Sequence, residues 1–150
     1  MEQYYTKEEC STALKAAEAR INELTRFSLT YTRGVNDCFA LLVEYDKRLR
    51  GSTSVARQHI NFEWETTKDF VVKLHKVGFT VEQYLEFLGY EIVSNRRPLI
   101  GDVAFEQGGI IIAGPRGWVS TLETNRGAAI KRPMTYLERH LKIIARPLRN

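Results

Sequence analysis

The sequence predicts an α+β fold, with a mostly antiparallel sheet packed against one central helix. Three observations carry this. Helical periodicity with recognisable caps runs through the first ninety residues, and short β-branched runs split by glycine and proline fill most of the remainder. Between them, the run after Asp37 is apolar on nearly every side over its first two turns, as a helix enclosed by its own domain must be.

The first element is "TKEECSTALKAAEARINELTRF", expected as an amphipathic helix over about 7–25. Thr6 and Glu9 stand at capping-box spacing. Cys10, Leu14, Ala17, Ile21 and Leu24 step by four and three, a heptad-like stripe too short for an independent coiled coil. Residues 1–26 are therefore expected as an N-terminal helix added to a domain of residues 27–150, its stripe packing on that domain or contacting a partner. Cys10 reads as a small buried hydrophobe.

An extended stretch from Ser28 to Arg33 leads to Gly34, and Asn36 or Asp37 is placed to cap the next helix. In that helix Cys38, Leu42, Tyr45 and Leu49 share a face, Phe39 and Leu41 widen it, and Gly51 ends it. Residues 52–65 read as loop. A third helix runs from Thr67 to Val77, and a fourth from Thr80, with Gln83 in capping-box position, to Gly89. Strands are expected in "YEIV", "GDVAFE", "GIIIAG", "GWVSTLE" and "LKIIARPL", with a helical turn in "TYLERHL" before the last.

Composition narrows the function classes. With 43% hydrophobic and 27% charged residues in 150, the chain can bury a core and is not of the disordered class. Its two cysteines make no disulfide framework, and no Cys/His spacing suits zinc, so neither metal nor cofactor is expected. "MEQYYTKEEC" lacks the order of a signal peptide, and no apolar run is long enough to span a membrane. The net charge of +4 is uneven: residues 1–95 hold 12 Lys/Arg against 14 Asp/Glu, and residues 96–150 hold 10 against 4. These basic residues are scattered, without a nucleic-acid motif or aromatic interleaving. A solvated surface accounts for them, and a small basic nucleic-acid-binding protein stands only as a third alternative.

Cys38 carries the chemistry. At the first turn of a helix, unpaired N–H groups and the helix dipole favour a thiolate, and a neighbouring histidine would make it a nucleophile. The succession "RGVNDCFALLVEY", intervening helices, "RRPLIGDVAF" and a glycine-flanked "GGIIIAG" resembles the NlpC-type, papain-like cysteine peptidase superfamily, and within it a divergent branch often encoded by bacteriophages. "GPRGWVSTL" and "LKIIARPL" resemble the branch's next and closing strands, so the resemblance covers roughly residues 27–148. It implies a cysteine that attacks an amide, usually of bacterial cell-wall peptide, with a histidine opening the strand after the Gly-Asp strand. Carried over, Cys38 matches the nucleophile and Asp37 its neighbour. The histidine would fall at Gly108 or Gly109, and "EQGGIIIAG" has none.

That departure decides the expectation. Without a base an ordinary thiol is only slightly ionised near neutrality, and nothing protonates the leaving amine. His59 falls in a loop, His75 in the third helix and His140 just before the last strand; His140 is the candidate replacement, although each has an ordinary packing or surface reading. Glu106 and Gln107 border the expected base position, but a carboxylate is a poor base for a thiol. Trp118 is read as core before groove, and Trp64 as a loop anchor. Arg96-Arg97 reads as solvated loop, and "GPRG" at 114–117 as a tight turn.

The resemblance thus implies a virion or tail-associated structural or assembly protein on a catalytically impaired peptidase-like fold. Its partners would be other virion proteins, met through the helix 7–25, with peptidoglycan a further one; it would stay in the host cytoplasm during assembly and then join the virion. The alternative is an active thiol endopeptidase or amidase that cleaves cell-wall peptides through Cys38.

Overall fold

A computed structural model describes residues 3–26, 32–58, 60–106, 109–124, 127–134 and 143–149. The fold is α+β. Helices α1 (Lys7–Arg26), α2 (Cys38–Arg50), α3 (Thr67–Lys76) and α4 (Val81–Phe87) precede the strands, with a short 3-10 turn after α2. The strands are β1 (Tyr90–Ile92), β2 (Val103–Glu106), β3 (Gly109–Gly114), β4 (Gly117–Thr124), β5 (Gly127–Met134) and β6 (Ile143–Pro147). They form one sheet in the order β1-β6-β2-β3-β4-β5, every pairing antiparallel.

The caps sit where short polar side chains satisfy orphan N–H groups. Thr6 and Glu9 close a reciprocal capping box at α1, and Thr80 and Gln83 close another at α4. Asp37, not Asn36, caps α2, its Oδ1 accepting from the Ala40 N–H at 2.9 Å. Asn36 instead folds the preceding turn by accepting from the Thr32 N–H. The strand β5 was not expected, because Lys131, Arg132 and Pro133 interrupt its apolar pattern. The expected turn in "TYLERHL", the stretch Ser28–Tyr31, His59 and His140 lie outside the described residues.

Strand β3 is buried on both faces, which explains its unbroken apolar run. Val103, Ile110, Ile112, Val119 and Ala145 join the helices in the main core, whereas Ala104, Ile111, Ala113, Trp118 and Ile144 form a second cluster with Val93. Trp118 is thus a core residue and lines no groove.

Ala13, Leu14, Ala17 and Ile21 of α1 belong to the same core as α2, and α1 also contacts β3 and β5. Of the two roles expected for the stripe, packing on the domain is the one the structure shows: it is buried inside the chain, with Leu24 partly uncovered. One close approach fixes this packing. Gly101 lies at φ 98°, where a Cβ would overlap the Cys10 thiol and come within 3.0 Å of the Tyr45 hydroxyl. Tyr45 in turn donates to the Gly101 carbonyl at 2.8 Å.

A buried ion pair finishes α2. Arg50 Nε donates to Asp46 Oδ1 at 2.9 Å, and the Tyr90 and Ser54 hydroxyls donate to the same carboxylate. The remaining Arg50 N–H groups reach the carbonyls of Gly89 and Leu148. Asp46→Ala should therefore cost about 3–5 kcal/mol in urea unfolding, because it strands a buried guanidinium. Leu14→Ala should cost about 2–5 kcal/mol and shift the whole unfolding transition; a change confined to α1 helicity would show that α1 is merely attached.

Candidate functional site

The site assembles at the N-terminus of α2. Asp37 is the N-cap and Cys38 the first helical residue, so the thiol stands where backbone N–H groups are unpaired. Across from it, β3 begins. The Ile110 N–H donates to Cys38 Sγ at 3.4 Å, and the Ile110 carbonyl accepts from the Ser120 hydroxyl of β4. Gly109, one of the two positions near which the resemblance would put a histidine, lies against the sulfur: a Cβ at that position would stand 2.9 Å from Sγ, and φ is 130°. Glycine is what this backbone conformation and this contact both accept.

Aromatic side chains close the remaining side. Phe39, Trp64 and Phe70 pack on one another, with Phe39–Trp64 centroids 5.3 Å apart and Trp64–Phe70 centroids 4.9 Å apart, and Phe62 joins them. Trp64 is the loop anchor expected of it. The Arg57 guanidinium lies over the rings of Phe39 and Trp64. The hollow around the sulfur, bordered by Asp37, Trp64, Thr67, Phe105 and Gly109, measures about 10 Å³, room for one water at most.

Electrostatics follow from the enclosure. Cys38 is 8% exposed. Burial first, and the adjoining Asp37 carboxylate second, push its thiol up to about 11, while the Ile110 N–H and Arg33 pull weakly the other way. Helix-terminus stabilisation, expected from position alone, loses to desolvation. At pH 7 the thiolate is on the order of one molecule in ten thousand. Asp37 is also raised, chiefly by burial, against the Ala40 and Gly34 N–H groups and the distant pull of Arg33 and Arg57. Its Oδ2 accepts no hydrogen bond.

The other candidates do not converge here. His75 is exposed in the last turn of α3 and does not border the hollow. His59, His140, Gln107 and Gly108 lie outside the described residues, and so does the side chain of Glu106. Among the described residues no cluster of His, Cys, Asp and Glu could hold a metal, and no helix is long and apolar enough to cross a membrane. No family model, curated protein or solved structure matches the chain.

Sequence reasoning did not foresee the aromatic lid. Its members are distributed over α2, the loop before α3 and α3 itself, and nothing in their spacing joins them. Gly109 was legible as a glycine where a histidine was expected, but its contact with the sulfur was not.

Two outcomes follow. Gly109→Ala should lower stability by about 1–3 kcal/mol in urea melts, and Cys38→Ala in that background should recover part of it by vacating the space. The thiol's folded value of about 11 lies above the ordinary cysteine value of 9.0, so the stability it contributes is complete below pH 9 and lost as pH rises toward 11. Cys38→Ala should therefore flatten the alkaline decline by about 2–3 kcal/mol, read as unfolding free energy against pH. The buried phenols of Tyr45, Tyr84 and Tyr90, also raised, should keep the rest of the decline in place.

Proposed function

We propose that this chain is a structural or assembly component of a bacteriophage particle, tail-associated, built on a papain-like, NlpC-type fold whose peptidase chemistry is impaired. The observation that carries the loss of chemistry is the enclosure of Cys38, with Gly109 in van der Waals reach of the sulfur and a protonated thiol under an aromatic lid. Among the described residues the hollow at that sulfur is too small for an amide substrate, and at Gly109 backbone, not an imidazole, lies against it. The phage assignment rests on the resemblance in the order of elements from Gly34 to the closing strand. The placement of a cysteine at the first position of the central helix, opposite the start of β3, is in keeping with it.

Carbamidomethylation of Cys38 in a Cys10→Ala background tests the impaired site. Between pH 5 and 9 the folded protein should react no faster than its global opening allows, and cell-wall peptides should be left intact. A sulfur that titrates below about 8.5 and alkylates in the folded state would overturn this reading in favour of the thiol endopeptidase. His140→Ala would then tell whether that histidine is its base. Mass spectrometry of purified particles from a producing lysate tests the particle assignment separately: presence at structural copy number supports it, and absence refutes it.

A further inference from the structure

Among the described residues a wide concave surface lies at the other end of β2 from Cys38. Residues 4–5, the first turn of α1, the loop before β2 and the end of β6 enclose a groove of about 570 Å³, within the range of ligand clefts. Its floor is apolar: Tyr4, Leu99, Ile100 and Pro147 line it, and Leu99 is 53% exposed to solvent. Leu99 is thus one of several apolar residues contiguous in a single concavity, the arrangement that suits a binding surface, where an isolated exposed leucine would not.

Charge says which kind of molecule. Lys7 and Arg97 line the same groove and are exposed. Three nearby carboxylates are engaged, Glu9 by Arg149, Glu91 by Arg96 and the Tyr4 hydroxyl, and Asp102 by a bidentate Arg146 at 2.8 and 2.9 Å, while Glu8, exposed beside Lys7, lines the neighbouring hollow on α1 and not this groove. Among the described residues neither Lys7 nor Arg97 meets a carboxylate, so two cations flank an apolar floor without compensation. Arg146, paired with Asp102 and lying over the Tyr4 ring, fixes that side of the floor in place and leaves Lys7 and Arg97 as the groove's cations.

We propose that this groove receives an acidic peptide segment of a partner protein, with an aliphatic side chain against Leu99 and Ile100 and carboxylates at Lys7 and Arg97. Two uncompensated cations fall short of the row of phosphate contacts that holds a nucleic acid, and the concave aliphatic floor suits a side chain better than a flat lipid surface. The groove does not involve Cys38, so the inference stands apart from the fate of the thiol.

The test uses the whole chain and a fluorescein-labelled octapeptide of glutamates and aspartates around two adjacent leucines, read by fluorescence anisotropy. A control peptide replaces every acid with lysine. The acidic peptide should bind about tenfold or more tighter than the basic one, and raising salt from about 50 to 300 mM should weaken it. Lys7→Glu with Arg97→Glu, and separately Leu99→Asp, should each lower affinity about tenfold or more. All three side chains are exposed, so the thermal midpoint of each variant should stay near that of the parent and report an intact fold. Equal binding of the two peptides, no binding, or indifference to the charge reversals would overturn the proposal. A small aliphatic acid, 4-methylpentanoate, that displaces the peptide at comparable concentration would overturn the peptide as occupant and leave a small-acid site.

Discussion

The buried pairing of Asp46 with Arg50 is the interaction on which the rest of the structure depends. It sits at the end of α2 away from Cys38, and its two side chains are 0% and 2% exposed. A carboxylate and a guanidinium in such a place are tolerable only if every polar atom finds a partner. Here Tyr90 and Ser54 complete the carboxylate, and the carbonyls of Gly89 and Leu148 complete the guanidinium. Those partners come from β1, from the turn that follows α2, from the end of α4 and from the segment after β6. One helix end is thereby tied to elements far apart in the chain.

A helix pinned at its C-terminal end presents its N-terminal end to β3, and there the competition between dipole and burial is settled. The unpaired N–H groups of a helix start stabilise a thiolate by a modest amount. Removing a sulfur from water into contact with Phe39, Phe105 and Ile110 opposes ionisation more strongly, and a neighbouring carboxylate adds to it. The result is a cysteine at a helix start with the protonation of a core residue. Position in a fold and chemical competence are separable, and at Cys38 the packing of its neighbours separates them.

The two ends of β2 differ in a parallel way. Near Cys38 the helix end, the sheet and the aromatic side chains fill the available space. Near Gly101 the backbone approaches Cys10 and Tyr45 so closely that only glycine fits, and this tight contact leaves the loop before β2 to stand away as the wall of an open groove. The hollow is about 10 Å³ beside Cys38 and about 570 Å³ beside the loop before β2.

Much of the architecture was legible because it is local. Caps at Thr6, Asp37 and Thr80 announce helix starts through side-chain hydrogen bonds that span three residues, and the apolar run after Cys38 announces burial through periodicity. Strand β5 was not legible, since Lys131, Arg132 and Pro133 obey a pairing with β4 that no short-range pattern encodes. The candidate thiol and the missing histidine could be seen in the sequence. The aromatic lid, the contact of Gly109 with the sulfur and the Asp46–Arg50 network could not, because each joins residues that only the fold brings together. By itself, then, the sequence determined the four helices and every strand but β5, through hydrogen bonds and periodicities of a few residues. Only the tertiary structure decided that α1 is core and that Cys38 is enclosed, because desolvation depends on what packs from outside the local segment.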